Sequence, residues 1–294
     1  MLNIWPSVFA RESFRAREQL LIPAFERYFA ENGHAQGSLL VQLRYKHNIS
    51  HGLRGRDVAA TEIGQMVATL TNSLASAFWM VYHVFSDPEV LEECRAEVGR
   101  LVRVDDGGVN TIDLALIGTS CPVLLSTWKE TLRYVHIGIS ARVVVEDTML
   151  DDKYLLKKGA TVMTVIPVQH SDASAWGPTA RAFDHRRFLL PPPAGAKRIV
   201  PAASRSFGGG AVLCPGRHFV STEVTAFVAL LLLRFDLRPV AESGRWVEPR
   251  KDFPLTSSMP TPKDEVLVDI VPRSKCQGWR VEYSTASKSS GVVI

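Results

Sequence analysis

The residue types with the most chemical potential fall within eleven positions, Phe207-Gly208-Gly209-Gly210-Ala211-Val212-Leu213-Cys214-Pro215-Gly216-Arg217. Glycines permit positive φ and let another object approach the backbone closely. Pro215 is a favoured first residue of a helix, and residues 220–233 are apolar enough to form a buried one. This predicts Cys214 at a helix N-terminus, where unpaired N–H groups and the helix dipole stabilise a thiolate. A thiolate on a tight glycine loop, with backbone donors near its sulfur, is what an axial ligand of haem iron requires. On the residues alone other readings stay open. A lone cysteine is often a small core hydrophobe. A glycine run before a helix can cradle phosphate, although no Lys-Ser or Lys-Thr pair follows and the G-x-G-x-x-G spacing is absent. A zinc site could use Cys214 and His218 with Cys94, Cys121, Cys276 or distant histidines, although there is no C-x-x-C.

Three segments together resemble the cytochrome P450 superfamily. Phe207 to Gly216 is similar to its F-x-x-G-x-x-x-C-x-G signature. Glu130 and Arg133 resemble its E-x-x-R helix, and Phe183-Asp184-His185-Arg186-Arg187-Phe188 resembles its P-x-R-F segment, with His185 where proline is usual. The resemblance implies a mainly α fold with small β-sheets, the C-terminal part of the P450 fold. It implies haem b held by the Cys214 thiolate, with Phe207, Gly208, Gly210 and Gly216 shaping the cofactor loop. The implied activity is monooxygenation of a lipophilic small molecule with electrons from a separate NADPH-dependent reductase. By resemblance Met1 falls near the middle of the fold. Residues 1–283 are then part of a haem domain and 284–294 a disordered tail. The expected N-terminal half would carry the W-x-x-x-R helix and, in eukaryotic members, an anchor in the endoplasmic reticulum membrane. A truncated, non-catalytic fragment is therefore one alternative.

The resemblance also distributes roles. Glu130 and Arg133 are one helical turn apart and share a face, which alone could be a surface ion pair. The family adds Arg187 as a third, structural member that locks the approach to Cys214. Arg142 matches a haem-propionate partner, whereas Val212 stands where the family usually has a basic donor. In the long helix, Ala68-Thr69-Leu70-Thr71-Asn72 aligns with A-G-x-D/E-T, whose acid and threonine help deliver protons during oxygen activation. Thr71 takes the place of the acid and Asn72 that of the threonine, and an amide can hydrogen-bond but cannot act as a general acid near neutral pH. An Asn there resembles the clan of sterol 7α- and 12α-hydroxylases and prostacyclin synthase, so a haem-thiolate peroxide isomerase or dehydratase is the other alternative. The substrate wall implied by the resemblance takes Leu70, Ser73 and Leu74 from the long helix. It takes Val135, Ile137, Ile139 and Ser140 from the chain after the E-x-x-R helix, and Leu255, Thr256 and Met259 from near the C-terminus. The wall is mostly apolar.

These residues need elements to hold them. Residues 11–31 read as an amphipathic helix, His47 to Gly55 as a polar loop, and Asp57 to about Phe85 as a long helix. Asp87-Pro88 opens a helix to about Leu101, and 122–135 form the helix carrying Glu130 and Arg133. Strands are predicted at 143–145 and 160–166 around Lys157-Lys158-Gly159, and at 235–240, 265–271 and 279–283. Pro191-Pro192-Pro193 ends an ordered segment. At 294 residues, 46% of them hydrophobic, the chain can bury a large core. A net charge of +4 without a run of like charges gives no nucleic-acid arm. Four scattered cysteines are not a disulfide framework. The longest apolar run, 66–85, contains Thr69, Thr71, Asn72, Ser73, Ser76 and His83, and reads as a core helix rather than a membrane span.

Overall fold

The computed structural model describes residues 11–191, 199–240, 244–254, 257–273 and 278–284. The chain divides into two compact units, one up to Thr71 and one from Asn72. In the first, α1 (Arg11–Arg15) runs through a π-helical stretch, Ala16–Leu21, into α2 (Ile22–Ala30). Next comes α3 (Leu39–Ser50), whose start is capped by the Ser38 hydroxyl accepting from the Val41 N–H. This helix covers His47 to Ser50, which the sequence reads as loop. Their polarity is explained by tertiary pairing: Arg44 bonds Gln65 at 2.8 Å and Glu62 at 3.1 Å, and Asn48 donates to Thr61 Oγ1 at 2.8 Å. The partners lie on α4 (Gly55–Ser86), whose residues up to Thr71 belong to the first unit and from Asn72 to the second. Among the described residues no helix is long and apolar enough to cross a membrane.

The second unit is built around α5 (Pro88–Gly99), α6 (Ile117–Ser120), α7 (Pro122–Val135), α8 (Ile166–His170), α9 (Ala173–Trp176) and α10 (Arg217–Arg234). Its core joins Trp79, Met80 and Val84 of α4 to Val90, Cys94 and Val98 of α5, Leu124, Trp128 and Leu132 of α7, and Val224, Val228 and Leu232 of α10. Polar ties fix how these helices cross. Trp128 Nε1 donates to Ser221 Oγ at 3.0 Å, joining α7 to α10. Trp79 Nε1 donates to the Pro260 carbonyl at 2.8 Å. From α5, Arg95 reaches the Leu232 and Phe235 carbonyls at the end of α10, at 3.1 and 3.2 Å, where carbonyls lack helical partners. A smaller core of Trp176, Ala180 and Ala203, with Phe188 and Ile199 against it, lies under the segment that precedes the glycine run.

The sheets are small. β2 (Asn110–Asp113) pairs antiparallel with β1 (Arg103–Val104) and parallel with β11 (Trp279–Glu282). β3 (Ile139–Val143) pairs antiparallel with β6 (Thr161–Val165), setting Arg142 opposite Val162. Between them lies a hairpin of β4 (Thr148–Leu150) and β5 (Tyr154–Leu156), absent from the sequence reading. It turns on Asp151 and Asp152 with φ of 51° and 49°, a left-handed turn that Asp tolerates. β3 also begins four residues before the predicted strand, because Ile139 to Arg142 pair with β6 and Val144 and Val145 lie past its end. β7 (Phe235–Pro239) pairs with β10 (Val268–Pro272), and β8 (Lys251–Asp252) with β9 (Thr261–Pro262). Of the sequence expectations, Leu255, Thr256, the stop at Pro192-Pro193 and the tail after Ser284 lie outside the described residues.

Candidate functional site

The cysteine loop is closed by two backbone bonds. The Gly208 N–H donates to the Arg205 carbonyl at 2.9 Å, and the Cys214 N–H to the Phe207 carbonyl at 3.0 Å. The three glycines serve different ends. Gly208 and Gly210 have φ of 78° and 65°, which L-residues rarely adopt, and a Cβ on Gly209 would collide with Arg205 Nη1. Arg205 therefore lays its guanidinium across the run. α10 starts at Arg217 with Gly216 as its N-cap, so Cys214 sits just ahead of the helix and Pro215 belongs to the turn, not to the first helical residue. Arg217 Nη1 reaches back to the Cys214 carbonyl at 2.9 Å. A Cβ on Gly216 would touch the Cys214 sulfur at 3.9 Å, an ordinary contact, so space at the sulfur does not demand glycine there.

The cysteines separate by environment. Cys94 and Cys121 are fully buried, and burial pushes both thiols up to about 12. Neither can offer a thiolate at neutral pH. Cys214 is half-buried and carries no disulfide. Beside it Val212 is 65% exposed and Leu213 41% exposed. Upstream, Arg205 Nε and Ser206 Oγ are buried with no partner among the described residues. An accessible thiol with flanking apolar side chains, and orphaned donors close by in the chain, suits a bound group that is apolar, carries anionic oxygens and takes a sulfur ligand. Haem has that chemistry.

Behind the loop lies a buried charge network. Glu130 and Arg133 are 0% and 2% exposed in their side chains, and are joined by a fork of 2.7 and 2.6 Å. Arg187 Nε bonds both Glu130 oxygens at 3.1 Å, and the Asp184 N–H donates to Glu130 Oε1 at 3.0 Å. The remaining guanidinium protons go to backbone carbonyls and, from Arg187 Nη1, also to the Thr179 hydroxyl at 3.2 Å. Arg133 reaches His170, Ala180 and Ala182 at 2.6, 2.7 and 3.0 Å, and Arg187 reaches Thr179 and Ala182 at 2.9 and 3.1 Å. Thus α7 holds the 170–188 segment by side chain to backbone bonds. The structure brings Glu130, Arg133 and Arg187 together.

Other residues singled out by sequence are placed as follows. Asn72 Oδ1 accepts from Ser257 Oγ at 3.0 Å and from the Ser258 N–H at 2.8 Å, so its amide oxygen is committed to that loop. The Thr71 hydroxyl donates back to the Val67 carbonyl at 2.8 Å. Arg142 is exposed, and its Nη1 bonds the neighbouring Ala141 carbonyl at 2.7 Å. Of the apolar wall, Leu70, Leu74 and Ile139 are exposed and Ser73, Ile137 and Ser140 half-buried, whereas Val135 and Met259 are 2% and 3% exposed members of the core. Their neighbours enclose them, so as placed they offer no open surface.

Two features escaped the sequence reading. His185 Nε2 meets Glu93 Oε2 at 3.0 Å, and Glu89 completes a group with metal-ligand spacing. Arg186 pairs with both glutamates, which makes it an ion-pair knot between α5 and the 183–188 segment. His136 and His170 are both buried with rings 5.6 Å apart, and burial holds each at about 4. Their partners lie far apart in the chain, Glu93 from His185 by 92 residues and His136 from His170 by 34, so no local pattern pointed to either.

Comparison with known proteins agrees with the geometry. The family model for cytochrome P450 matches residues 17–268. The cytochrome P450 monooxygenase nodJ of Hypoxylon pulicicidum is 34% identical over 285 residues, covering 94% of this chain and 55% of that protein. A bifunctional cytochrome P450/NADPH–P450 reductase of Bacillus subtilis is 30% identical over 158 residues, 53% of this chain and 14% of that one. The crystal structure of a cytochrome P450, CYP102L1, superposes with a TM-score of 0.62 at 21% identity, covering 76% of this chain and 47% of that one, a likeness of fold. The chain spans about half the length of nodJ. The family's cofactor is haem whose iron is held by a cysteine thiolate. With a half-exposed Cys214 on a glycine-bound loop, a buried Glu130–Arg133–Arg187 network behind it, and a family match over 252 residues from 17 to 268, the chain belongs to the cytochrome P450 family.

Proposed function

We propose that the chain is part of a haem-thiolate monooxygenase that oxidises a lipophilic small molecule with electrons from a separate reductase, residues 1–283 contributing to its haem domain. The observation that carries this is Cys214, the one described cysteine outside the core, on a loop braced from both ends. Bound there, haem would supply the oxygen chemistry, and the protein's part is ligation, orientation and dryness. Cys214 would hold the iron. Arg205, whose guanidinium lies across Gly209, and Arg142 are the cations suited to the haem carboxylates, a task Val212 cannot share. The exposed Leu74, Ile139 and Val212 favour an apolar substrate. The name of the Bacillus subtilis relative, which joins a P450 to a reductase, supports the reductase partner.

Asn72 and Thr71 favour a second reading, a peroxide isomerase or dehydratase that needs no electron donor. Asn72 has its oxygen engaged by Ser257 and Ser258, and the Thr71 hydroxyl is turned to its own helix, so neither supplies an acid. Turnover separates the two. The haem-loaded protein with reductase, NADPH and isotopically labelled oxygen should incorporate one labelled atom into a lipophilic probe. Rearrangement of a lipid peroxide in the absence of any electron donor, with no labelled product, would overturn the monooxygenase reading.

A further inference from the structure

His170 is the last residue of α8, 2% exposed, and makes three hydrogen bonds in three directions. Its carbonyl accepts from Arg133 Nη1 at 2.6 Å. Its Nδ1 lies 3.1 Å from the Arg133 carbonyl, and its Nε2 lies 2.9 Å from the Arg205 N–H. A carbonyl only accepts and a backbone N–H only donates. Both ring contacts are therefore satisfied in one state, the neutral imidazole with its proton on Nδ1. From Arg205 the connection continues to the cysteine, since the Arg205 carbonyl takes the Gly208 N–H and the Phe207 carbonyl takes the Cys214 N–H. Arg205 is also the residue whose guanidinium rests on Gly209.

We propose that His170 is a positioning residue for the cysteine loop, transmitting the placement of the buried Glu130–Arg133 pair through its Nε2 to Arg205 and so to Cys214. The proposal rests on reading that loop as the iron-ligating one. Burial, which holds His170 at about 4, keeps the imidazole in the required neutral form at physiological pH. Trp176 lies edge-on at 5.8 Å and His136 at 5.6 Å, which leaves the ring little room to turn. Gln169 adds a parallel tie, its Nε2 donating to the Ala202 carbonyl at 2.9 Å. The anchor for the loop is therefore one helix turn of α8, with the imidazole as its contact to Arg205.

Two substitutions divide the roles of the ring. The amide of Asn reaches where Nδ1 sits and the amide of Gln reaches where Nε2 sits. His170→Asn can thus keep the Arg133 carbonyl bond and lose the Arg205 bond, whereas His170→Gln can keep an acceptor for the Arg205 N–H. The full chain is assayed in two forms. Without haem, the rate at which iodoacetamide alkylates Cys214 is followed by peptide mass mapping. With haem, the Soret band of the reduced carbon monoxide complex reports whether thiolate ligation survives. Expected for His170→Asn is an alkylation rate changed about tenfold, the scale of one buried hydrogen bond, and a loss of the thiolate-type band at near-wild-type haem content. Expected for His170→Gln is a rate within about twofold of wild type and a retained band. Equal behaviour of the two variants, or a larger effect of Gln, overturns the proposal. So does loss of folding in both, which would make His170 a core residue only. If the wild type shows no thiolate band yet the alkylation contrast persists, it is the haem reading that fails and not the positioning role.

Discussion

Glu97 of α5 caps α7 from a neighbouring helix, its carboxylate oxygens accepting the Val123 N–H at 3.0 and 2.9 Å and the Leu124 N–H at 3.0 Å. The N-cap residue of α7, Cys121, supplies no side-chain bond, so the carboxylate does what a cap residue would do, and adds a charge at the positive end of the helix dipole. Glu97→Gln turns part of this into amide N–H facing backbone N–H. The expected cost is about 1–2 kcal/mol, read as a lower melting point of the folded chain. An unchanged melting point would show that the cap is dispensable.

The Glu130–Arg133–Arg187 network predicts a larger effect. Removing Glu130 leaves two guanidinium groups uncompensated in the interior, a loss of about 3–5 kcal/mol. Glu130→Ala should therefore lose haem stoichiometry and the cooperative melting transition together. Wild-type haem content with an unaltered melting point would mean that the carboxylate contributes no more than a surface pair does.

Three buried histidines predict an acid-side weakening. Burial lowers His83 to about 3, and His136 and His170 to about 4, against about 6.5 in the unfolded chain. Above that value both states are neutral and the full stability is present. As pH falls from about 6.5 toward 4 the unfolded chain takes up protons that the folded one refuses. Stability then falls by up to about 1.4 kcal/mol per pH unit for each histidine. Urea denaturation at pH 7.5, 6.5, 5.8 and 5.2, above most carboxylate titration, should show flat stability at the top and a decline below. Constant stability down to pH 5.2 would contradict this placement.

The cysteines predict an order of reactivity. With thiols pushed up to about 12 in the core, Cys94 and Cys121 should resist alkylation in the folded, haem-free chain, while half-exposed Cys214 reacts first. Peptide mass mapping after brief iodoacetamide treatment reads this directly. Prior labelling of Cys94 or Cys121 would show that the core opens.

The sequence displayed the helices well where local signals were strong. Pro122 and Pro88 mark first turns, and 122–135 and the long helix lie within two residues of the observed spans. It showed the loop glycines and Cys214, because positive φ and a lone thiol leave a mark on residue choice. It hid α3, whose polar residues are explained by partners on α4, and the β4–β5 hairpin, whose turn uses two aspartates rather than Asn-Gly. It also hid Glu97, which is 26 and 27 residues from the N–H groups it caps, and His170, whose contacts come from segments 37 and 35 residues away. Long-range partners of single polar residues have no periodicity to reveal them.

The most direct measurement of the central claim is the carbon monoxide difference spectrum of the reduced, haem-loaded protein, taken beside Cys214→Ala. Ligation by Cys214 predicts a Soret band with the red shift of a thiolate ligand in the wild type and its loss in the variant. A wild-type band without that shift, or a shifted band that survives Cys214→Ala, would contradict Cys214 as the iron ligand.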